Sequence, residues 1–510
     1  MMLGSMTEIE LKFQVPAARA DALERAVATA NATSVPLRAT YFDTEDRRLA
    51  AAGLALRVRK EGRRWVQTLK GAGDGLWQRL EHEVPRQFAA GAQPLADPAL
   101  HDHTPAGDAL RAALGDGVLL PIYGTEVTRT RRLLRGKGCV AELALDRGAL
   151  RAGDRRWPLC ELELELKSGD AAALVELAAR WVQRFGLTLD VRTKAERGER
   201  LARGVRVGAA VKARPLQLAK GIGLDSALRQ VVTNCLQQVL GNASDLAHES
   251  DLPPEHLHQL RVGLRRLRSV LRELGPLSQE LPAHWAEALA TLFGRLGSAR
   301  DRDALAQTLL PALRKAGATE LQLPVIEAEP AAQIALCEPS TTLLWLQLMA
   351  FAASPAAMQP TPDAAPAAPD GSTAEASTEP APSFASASRK RLGSLFRRVR
   401  RDAQRFGELE DVARHRLRKR VKRLRYLSEF AATQFAGRRF RAFLKRLAPA
   451  QEALGEFNDL CVAQALFKDA AEDDPLAMFA LGWLARERDD AIRRCQRELR
   501  KLRRATPFWA

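Results

Sequence analysis

Apolar and polar residues alternate one by one in many short stretches of the first 200 or so residues. This alternation predicts β-strands, because successive side chains of a strand point to opposite faces. The stretches are EIELKF, LALRVRK, RWVQTLKG, QRLEHEVP, CVAELALD and CELELELK. Turn signals such as KGAGDG and RAGDRR separate several of them. Helical periodicity occurs near Ala18–Ala30 and Ala171–Gly186, so this part is predicted to be mainly strands with a few helices.

The pattern changes near residue 220, where alternation gives way to long Leu/Ala/Arg segments with helical period. We therefore predict a strand-rich domain over 6–203, a linker over 204–220, and helical regions over 221–353 and 389–510. Residues 354–388 are rich in Pro, Ala and Ser and lack the apolar residues for a core, so we predict disorder there.

The helical part contains an internal repeat. HQLRVGLRRLR begins at His258 and HRLRKRVKRLR begins at His415. Each is followed by a Leu-Gly stretch with an aspartate, Asp301 at 43 positions and Asp459 at 44 positions from its histidine. Two motifs that keep their order and spacing predict an all-α domain of two similar helical bundles.

Each repeat places a basic stripe opposite an apolar one. Positions +3, +7 and +10 from each histidine fall on one side of a helix, because a helix turns about 100° per residue. The two stripes consist of His258, Arg261, Arg265, Arg268, His415, Arg418, Lys422 and Arg425. Leucines occupy the opposite side in the first repeat and predict its core face. A solvated basic face is the simpler interpretation for a single helix, but two copies at equal register disfavour it. A histidine–metal site is also disfavoured, because each repeat offers a single histidine.

The net charge of the chain indicates which partners these basic stripes would bind. The net charge is +17 and the pI is about 10.1, which favours nucleic acid, phosphate polymers or an anionic surface as partners. Aromatic residues make up 5% of the chain, which weakens the case for stacking on bases. The sequence has no apolar run of about 18 residues and no signal-peptide pattern. Six cysteines without CxxC pairs fit a reducing compartment, so we expect a cytoplasmic protein with no membrane association.

Charged residues also share single faces of the predicted strands. They are Glu8, Glu10, Lys12, Arg57, Arg59, Lys70, Arg79, Glu81, Glu83, Arg129, Arg131, Glu142, Asp146, Glu161, Glu163, Glu165 and Lys167. One such strand would be a solvated edge. Six or more predict a closed antiparallel barrel with a charged lumen. A lumen of this kind needs a ligand that is both anionic and metal-bound, because an unbalanced buried ion costs several kcal/mol.

These motifs resemble the CYTH superfamily, the triphosphate tunnel metalloenzymes. EIELKF matches its E-x-E-x-K signature, and the stretch 41–71 resembles its R-x-R and T-x-K strands. RLEHEV, ELALDRG and ELELELKSG fit its later strands. RTKAERG resembles its serine-lysine-tyrosine stretch, but Thr193 and Ala195 replace the serine and the tyrosine. The resemblance implies an α+β fold with a closed antiparallel eight-stranded β-tunnel, which hydrolyses triphosphates with Mg²⁺ or Mn²⁺.

The resemblance also implies roles for individual residues. The expected metal ligands are Glu8, Glu10, Glu163 and Glu165. The expected phosphate ligands are Lys12, Arg57, Arg59, Lys70, Arg129 and Lys194. Glu165 or Glu163 is expected to orient the attacking water, with Lys12 beside the reacting phosphate, and the sequence does not choose between the two glutamates.

The second half resembles the CHAD domain, which is named for conserved histidines in an α-helical fold. The resemblance rests on the two His-x-x-Arg helices and on the GSARDRD and GEFND stretches, and it implies binding of inorganic polyphosphate, including polyphosphate granules. We therefore expect an inorganic triphosphatase followed by a polyphosphate-binding module, with activity in the fragment 1–203 alone. Three alternatives stay open: a nucleoside or thiamine triphosphatase or an ATP cyclase, a non-catalytic polyphosphate-binding protein, and a DNA-binding protein.

Overall fold

The computed structural model describes residues 6–72, 78–89, 93–249, 252–297, 309–323, 332–353, 382–472 and 474–510. These residues form two compact units. The first contains the described residues of Met1–Lys212, Leu236–Leu260 and Ala332–Ser354. The second contains those of Ala213–Cys235, Arg261–Ala331 and Pro355–Ala510.

The first unit is built on one antiparallel sheet. Its strands are β1 (Met6–Gln14), β2 (Thr33–Asp43), β3 (Ala55–Glu61), β4 (Arg64–Ala72), β5 (Gln78–Arg86), β6 (Leu120–Gly136), β7 (Cys139–Ala152), β8 (Arg155–Gly169) and β9 (Thr188–Leu189). Their order is β5-β4-β3-β2-β6-β7-β8-β1-β9. β1 pairs with β8 over Glu10–Gln14 and also with β5 over Met6–Ile9.

The antiparallel strand-rich fold is confirmed, but the predicted strand number is wrong. The described sheet has nine strands instead of eight. The ninth strand consists of Thr188 and Leu189, which pair with Gln14 and Phe13 of β1. Two residues are too few for an alternating pattern, so the sequence carries no signal for this strand.

The predicted alternation of faces is present in the sheet. Leu162 and Leu164 of β8 are completely buried on the face opposite the glutamates. The helix α4 (Ala171–Phe185) packs on β7 and β8 with its own buried apolar residues, among them Leu174 and Val182. It ends at Gly186, whose φ of +66° is the left-handed conformation that glycine adopts readily after a helix.

Four further helices accompany the strands: α1 (Ala20–Val27), α2 (Arg48–Ala51), α3 (Pro105–Leu114) and α5 (Lys194–Ala202). The helices after the sheet are α6 (Leu224–His248), α7 (Pro254–Leu274), α8 (Trp285–Arg295), α9 (Leu310–Lys315), α10 (Ala332–Cys337), α11 (Pro339–Ala353), α12 (Phe384–Gln404), α13 (Asp411–Ala431), α14 (Gly437–Ala470) and α15 (Pro475–Arg503). In the described part of the chain, none of the helices combines the length and the apolar character that a membrane crossing requires.

The internal repeat has a structural counterpart. α7 and α13 each have 21 residues, and the histidine is the fifth residue in both helices. The leucines predicted to face the core in α7, such as Leu260 and Leu267, are completely buried.

The end of the segment predicted to be disordered is helical. Residues 354–381 lie outside the described part of the chain, but α12 already begins at Phe384. Ser383 caps this helix by accepting a hydrogen bond from the Ser386 amide, and the Phe384 side chain is completely buried. The prediction for 384–388 was therefore wrong, because a capping serine and one large apolar residue are enough to anchor a helix start.

Candidate active site

A cavity of about 1850 Å³ lies in the first unit and is lined by charged side chains from many strands. The predicted site residues that line it are Glu10, Lys12, Arg57, Arg59, Lys70, Arg129, Glu163, Glu165 and Lys194. Their convergence follows from the alternation, because every second side chain of a strand points to the same face. Glu8 lies in β1 opposite Arg79 of β5, and its side chain is outside the described part of the structure.

The pairing of β1 with β8 places the two charged motifs side by side. Glu10 is opposite Glu165, and Lys12 is opposite Glu163. Residues opposite each other in an antiparallel pair have neighbouring side chains. The Lys12 side chain is also almost completely buried, with 6% exposed.

Three carboxylates form a tight acidic group, of which Glu163 lines the cavity while Asp146 and Glu161 are completely buried. Oxygen atoms of Asp146, Glu161 and Glu163 all lie within 4.8 Å of one another. The Lys194 Nζ lies 2.8 Å from Asp146 and 2.6 Å from Glu163, and it also contacts Glu161. Burial alone would lower the pKa of Lys194, but these carboxylates raise it, so the ammonium group remains charged.

Arg129 is the second cation of the acidic group. Its Nε and Nη2 each donate to Asp146 at 2.7 Å, and Nη2 also donates to Glu163 at 2.5 Å. Burial alone would raise the pKa of Glu163, but the positive charges of Lys194 and Arg129 hold it well below its usual range. The pKa of Asp146 is lowered for the same reason. Both carboxylates are therefore ionised at neutral pH.

A second group of cations lies on β3 and β4. The Lys70 Nζ is 3.0 Å from Glu81, and the Arg57 Nη2 is 3.9 Å from Glu81. Arg59 contacts Glu61 and lies 3.6 Å from Glu83. Burial and the charge of Arg57 lower the pKa of Arg59.

Lys194 owes its place to a helix cap. The hydroxyl of Thr193 accepts a hydrogen bond from the Glu196 amide, so α5 begins at Lys194. Threonine therefore supplies the capping oxygen at the position where the resemblance expects serine.

The acidic group fits a divalent metal, but it differs from the predicted ligand set. Mg²⁺ and Mn²⁺ prefer carboxylate oxygens, and the described residues bring Asp146, Glu161 and Glu163 together in this way. Only Glu163 belongs to the predicted set of metal ligands. Asp146 and Glu161 were visible in the alternating pattern as members of the charged faces, but no motif identified them as ligands.

The first basic stripe of the second unit gathers around one aromatic ring. Arg261, Arg265 and Arg268 lie 4.7, 5.8 and 5.0 Å from the centre of the Phe293 ring. Arg261 is 5% exposed and donates from Nη1 to the Leu296 carbonyl at 2.5 Å. A guanidinium buried in this way holds α7 to the end of α8, whereas the pattern predicted Arg261 as a polyphosphate-binding residue.

The second stripe is more accessible. His415 is exposed, with its Nδ1 2.8 Å from Asn458 Oδ1. Arg425 donates to Glu429 at 2.7 Å, and Arg418 and Lys422 are half-buried. The remaining predicted residue, His258 in the first repeat, is also half-buried.

The structure adds cations that the stripe pattern missed. Burial and the nearby charges of Arg272 and Arg423 lower the pKa of Lys419. Burial and Arg272 lower the pKa of Arg268 in the same way. We call Arg268, Arg272, Lys419 and Arg423 the basic cluster. Of the two aspartates of the repeat, Asp459 lies in α14, and Asp301 falls outside the described residues.

Comparisons with known proteins match two domain families to this chain. The CYTH domain family matches residues 6–198, and the CHAD domain family matches residues 230–468. An inorganic triphosphatase from Haemophilus influenzae is 30% identical over 167 residues, which are 31% of this chain and 44% of the relative. The chain therefore matches less than half the length of that relative.

Solved structures resemble separate parts of the chain. The CHAD domain from the plant Ricinus communis is 29% identical, with a TM-score of 0.45, over 59% of this chain and 99% of that one. A protein from Hippeastrum with a dominant triphosphatase activity is 18% identical, with a TM-score of 0.28, over 39% of this chain and 97% of that one.

Proposed function

We propose that this chain, which contains a CYTH domain followed by a CHAD domain, hydrolyses inorganic triphosphate in the cavity of the first unit, with Mg²⁺ or Mn²⁺ as cofactor. The observation that carries the proposal is the pairing of a three-carboxylate group with Lys194 and Arg129, both of which line the cavity together with Glu163 and further cations. The pairing of β1 with both β8 and β5 supports a tunnel form for this site.

The arrangement of charges would allow Lys194 and Arg129 to exchange their carboxylate partners for the phosphates of the substrate. Lys194 and Arg129 are engaged by carboxylates in the structure. A divalent cation on Asp146, Glu161 and Glu163 would neutralise charge that develops on the phosphates. The two side-chain cations would then donate charge-assisted hydrogen bonds to the substrate, together with Lys12, Arg57, Arg59 and Lys70. Positioning and charge neutralisation of this kind account for most of the catalysis in phosphoryl transfer.

Glu165 is the better candidate to orient the attacking water. Glu163 already accepts from Lys194 and Arg129, whereas the Glu165 side chain is 25% exposed and pairs with Lys167 at 2.5 Å. Glu165 also lies opposite Glu10 in the β1–β8 pair. A carboxylate with solvent access can hold a water molecule and accept its proton.

The arrangement of two tyrosines in the cavity favours a substrate that lacks a nucleobase. Tyr41 and Tyr123 line the cavity, but their rings stack on each other with centroids 4.7 Å apart. Tyr41 is 4% exposed, and its hydroxyl accepts from Arg57 at 3.5 Å. Rings that are engaged in this way leave little surface on which a nucleobase could stack.

We further propose that the second unit binds inorganic polyphosphate through the basic cluster and the more accessible second stripe, which consists of His415, Arg418, Lys422 and Arg425. Arg272 lies close enough to lower the pKa values of Lys419 and Arg268, and an added polyanion would relieve this repulsion. A polyphosphate carries about one charge per phosphate and has no bases, so arginine and lysine suffice for binding.

The experiment for the enzyme is a substrate panel. Phosphate release should be measured from inorganic triphosphate, ATP and thiamine triphosphate, each with Mg²⁺ and with Mn²⁺. We expect inorganic triphosphate to give the highest kcat/KM. Equal or faster release from ATP would replace the proposed substrate, and no release from any of the three would reject a triphosphatase.

The experiment for the second unit is a titration of the full chain with polyphosphate of several lengths, with double-stranded DNA as competitor. We expect affinity to rise with chain length and DNA to compete poorly. Equal affinity for DNA would indicate a general basic surface.

A further inference from the structure

Beyond the cavity, a buried ion network holds the segment between β9 and α5. Arg192 has a side chain 4% exposed and donates from Nε and Nη2 to Asp190 at 3.0 Å each. Its Nη1 donates to Asp245 at 3.2 Å and to Glu249 at 3.4 Å. Asp245 lies in the last turn of α6 and Glu249 directly follows it, so the network joins the sheet to a helix that is distant in sequence.

The same network reaches the candidate active site. The Asp190 amide donates to the Lys12 carbonyl at 3.0 Å. The Asp190 carboxylate accepts from Gln14 at 2.9 Å, and Gln14 lies opposite Glu161 in the β1–β8 pair. Lys194 follows Arg192 by two positions along the chain. One buried aspartate therefore contacts the backbone of one proposed phosphate ligand and the segment that leads to another.

The end of α6 holds this segment at further points. Ser244 Oγ accepts from the Val191 amide at 3.1 Å. Asp245 accepts from Arg200 Nη1 in α5 at 2.6 Å. Ser244 and Asp245 at the end of α6 therefore contact the chain on both sides of Lys194, at Val191 and at Arg200.

Buried ion networks of this kind are an expensive way to gain stability, because desolvation offsets much of the attraction between the charges. Their directional contacts do fix the relative position of the groups that they join. The geometry points to positioning as the role of this network.

We propose that Ser244, Asp245 and Glu249 are positioning residues, which hold the segment 190–194 so that Lys12 and Lys194 meet the substrate. The inference rests on the proposed function, because it concerns the affinity of that same site. It also contradicts the expectation that the fragment 1–203 is active alone, since this fragment lacks all three residues.

The test uses the full chain with Asp245→Asn and Asp245→Glu. Lys12 and Lys194 are proposed to bind phosphate, so we expect Asp245→Asn to raise the KM for inorganic triphosphate about tenfold with kcat within about twofold. Asp245→Glu restores the charge and should recover much of the KM. Ser244→Ala removes one hydrogen bond to the segment and should give a smaller rise in KM.

Glu280→Gln is the matched control, because Glu280 pairs with the buried side chain of Arg229 in the second unit. This variant should leave the KM unchanged. Hydrogen exchange of residues 188–200 gives a readout that does not need activity, and Asp245→Asn should speed exchange there.

The possible outcomes distinguish the proposed function from the proposed positioning role. If the unaltered chain releases no phosphate, the proposed function fails and hydrogen exchange alone decides the positioning role. An unchanged KM and unchanged exchange in both Asp245→Asn and Ser244→Ala would overturn the inference. If Asp245→Asn does not fold, Ser244→Ala decides by the same two measurements.

Discussion

The cavity of the first unit and the basic cluster of the second both contain several cations, but they balance their charge differently. At the cavity, Lys194 and Arg129 form ion pairs with Glu163, which lines it, and with the buried Asp146. In the basic cluster, the strongest charged neighbours of Lys419 are arginines, and one carboxylate, Glu273, accepts from Arg423 at 2.6 Å. Mixed charge suits a ligand that brings both a metal and phosphates, whereas like charge suits a polyanion alone. The following predictions test this contrast, from the largest expected effect to the smallest.

Removal of metal should give the largest difference between the two regions, because it should affect the cavity but not the basic cluster. In excess chelator, we expect phosphate release from inorganic triphosphate to fall to background, because the carboxylate group would lack its cation. Polyphosphate binding by the same chain should stay unchanged, since it depends on side-chain cations. Phosphate release can be followed by a colorimetric assay and binding by calorimetry on one sample. Full activity in chelator would remove the metal from the proposed mechanism.

Glu163→Gln should affect only the cavity. The change keeps the volume of the side chain and removes one charge next to Lys194 and Arg129, so we expect kcat/KM to fall by at least about a hundredfold. Steady-state kinetics on the purified variant measure this loss. Glu126→Gln is the control, because Glu126 pairs with Arg151 in the same sheet at half-exposed positions. Similar losses in both variants would mean that the effect is structural.

Lys419→Ala and Arg272→Ala should affect only the second unit. Each removes an exposed cation of the basic cluster, and loss of one charge-assisted contact should weaken polyphosphate binding by roughly 1.5–3 kcal/mol. The affinity should also fall steeply with added salt. Arg486→Ala is the control, because this exposed guanidinium pairs with Glu487. Equal weakening by Arg486→Ala would point to net charge instead of a defined cluster.

Arg261→Ala should lower stability more than affinity. The change leaves the Leu296 carbonyl without its 2.5 Å donor and opens the contact with Phe293. A lost buried hydrogen bond of this type costs about 1–3 kcal/mol. Thermal unfolding should therefore begin at lower temperature. A large loss of polyphosphate affinity at unchanged melting temperature would instead identify Arg261 as a direct ligand.

The smallest effect concerns pH. Burial, with help from the charges of Lys419 and Arg418, lowers the pKa of His415 below its ordinary value of 6.5. A polyanion that binds a histidine as imidazolium raises the pKa of that histidine in the complex, so affinity increases as pH falls from that bound-state pKa towards the free-state pKa and levels off below it. We therefore expect polyphosphate affinity to rise only below about pH 6.5, by less than about tenfold. His415→Gln should abolish this rise, and an unchanged pH profile in that variant would exclude a role for His415.

Local periodicity carried much of the information in this sequence. Alternation identified most of the strands, though not β2, and placed Glu163 and Lys12 on charged faces. The repeat identified α7 and α13 with their histidines at equal positions. These features depend on the direction of neighbouring side chains along one strand or helix, which the order of residues determines directly. The two-residue β9 and the start of α12 at Phe384 were too short or too weakly marked for such a signal.

Contacts between elements were decided by the tertiary structure. Strand pairing brought Asp146 next to Glu163, although no motif joins them, and the packing of α8 buried Arg261 against Phe293. The turn of α6 that carries Asp245 likewise reached Arg192 from a part of the chain predicted to be a separate domain. Such ion pairs depend on the register between strands and on the packing of whole helices. Residues far apart in sequence meet only when the complete fold forms. A pattern along the sequence describes neighbouring residues and does not give the distance in space between such distant ones.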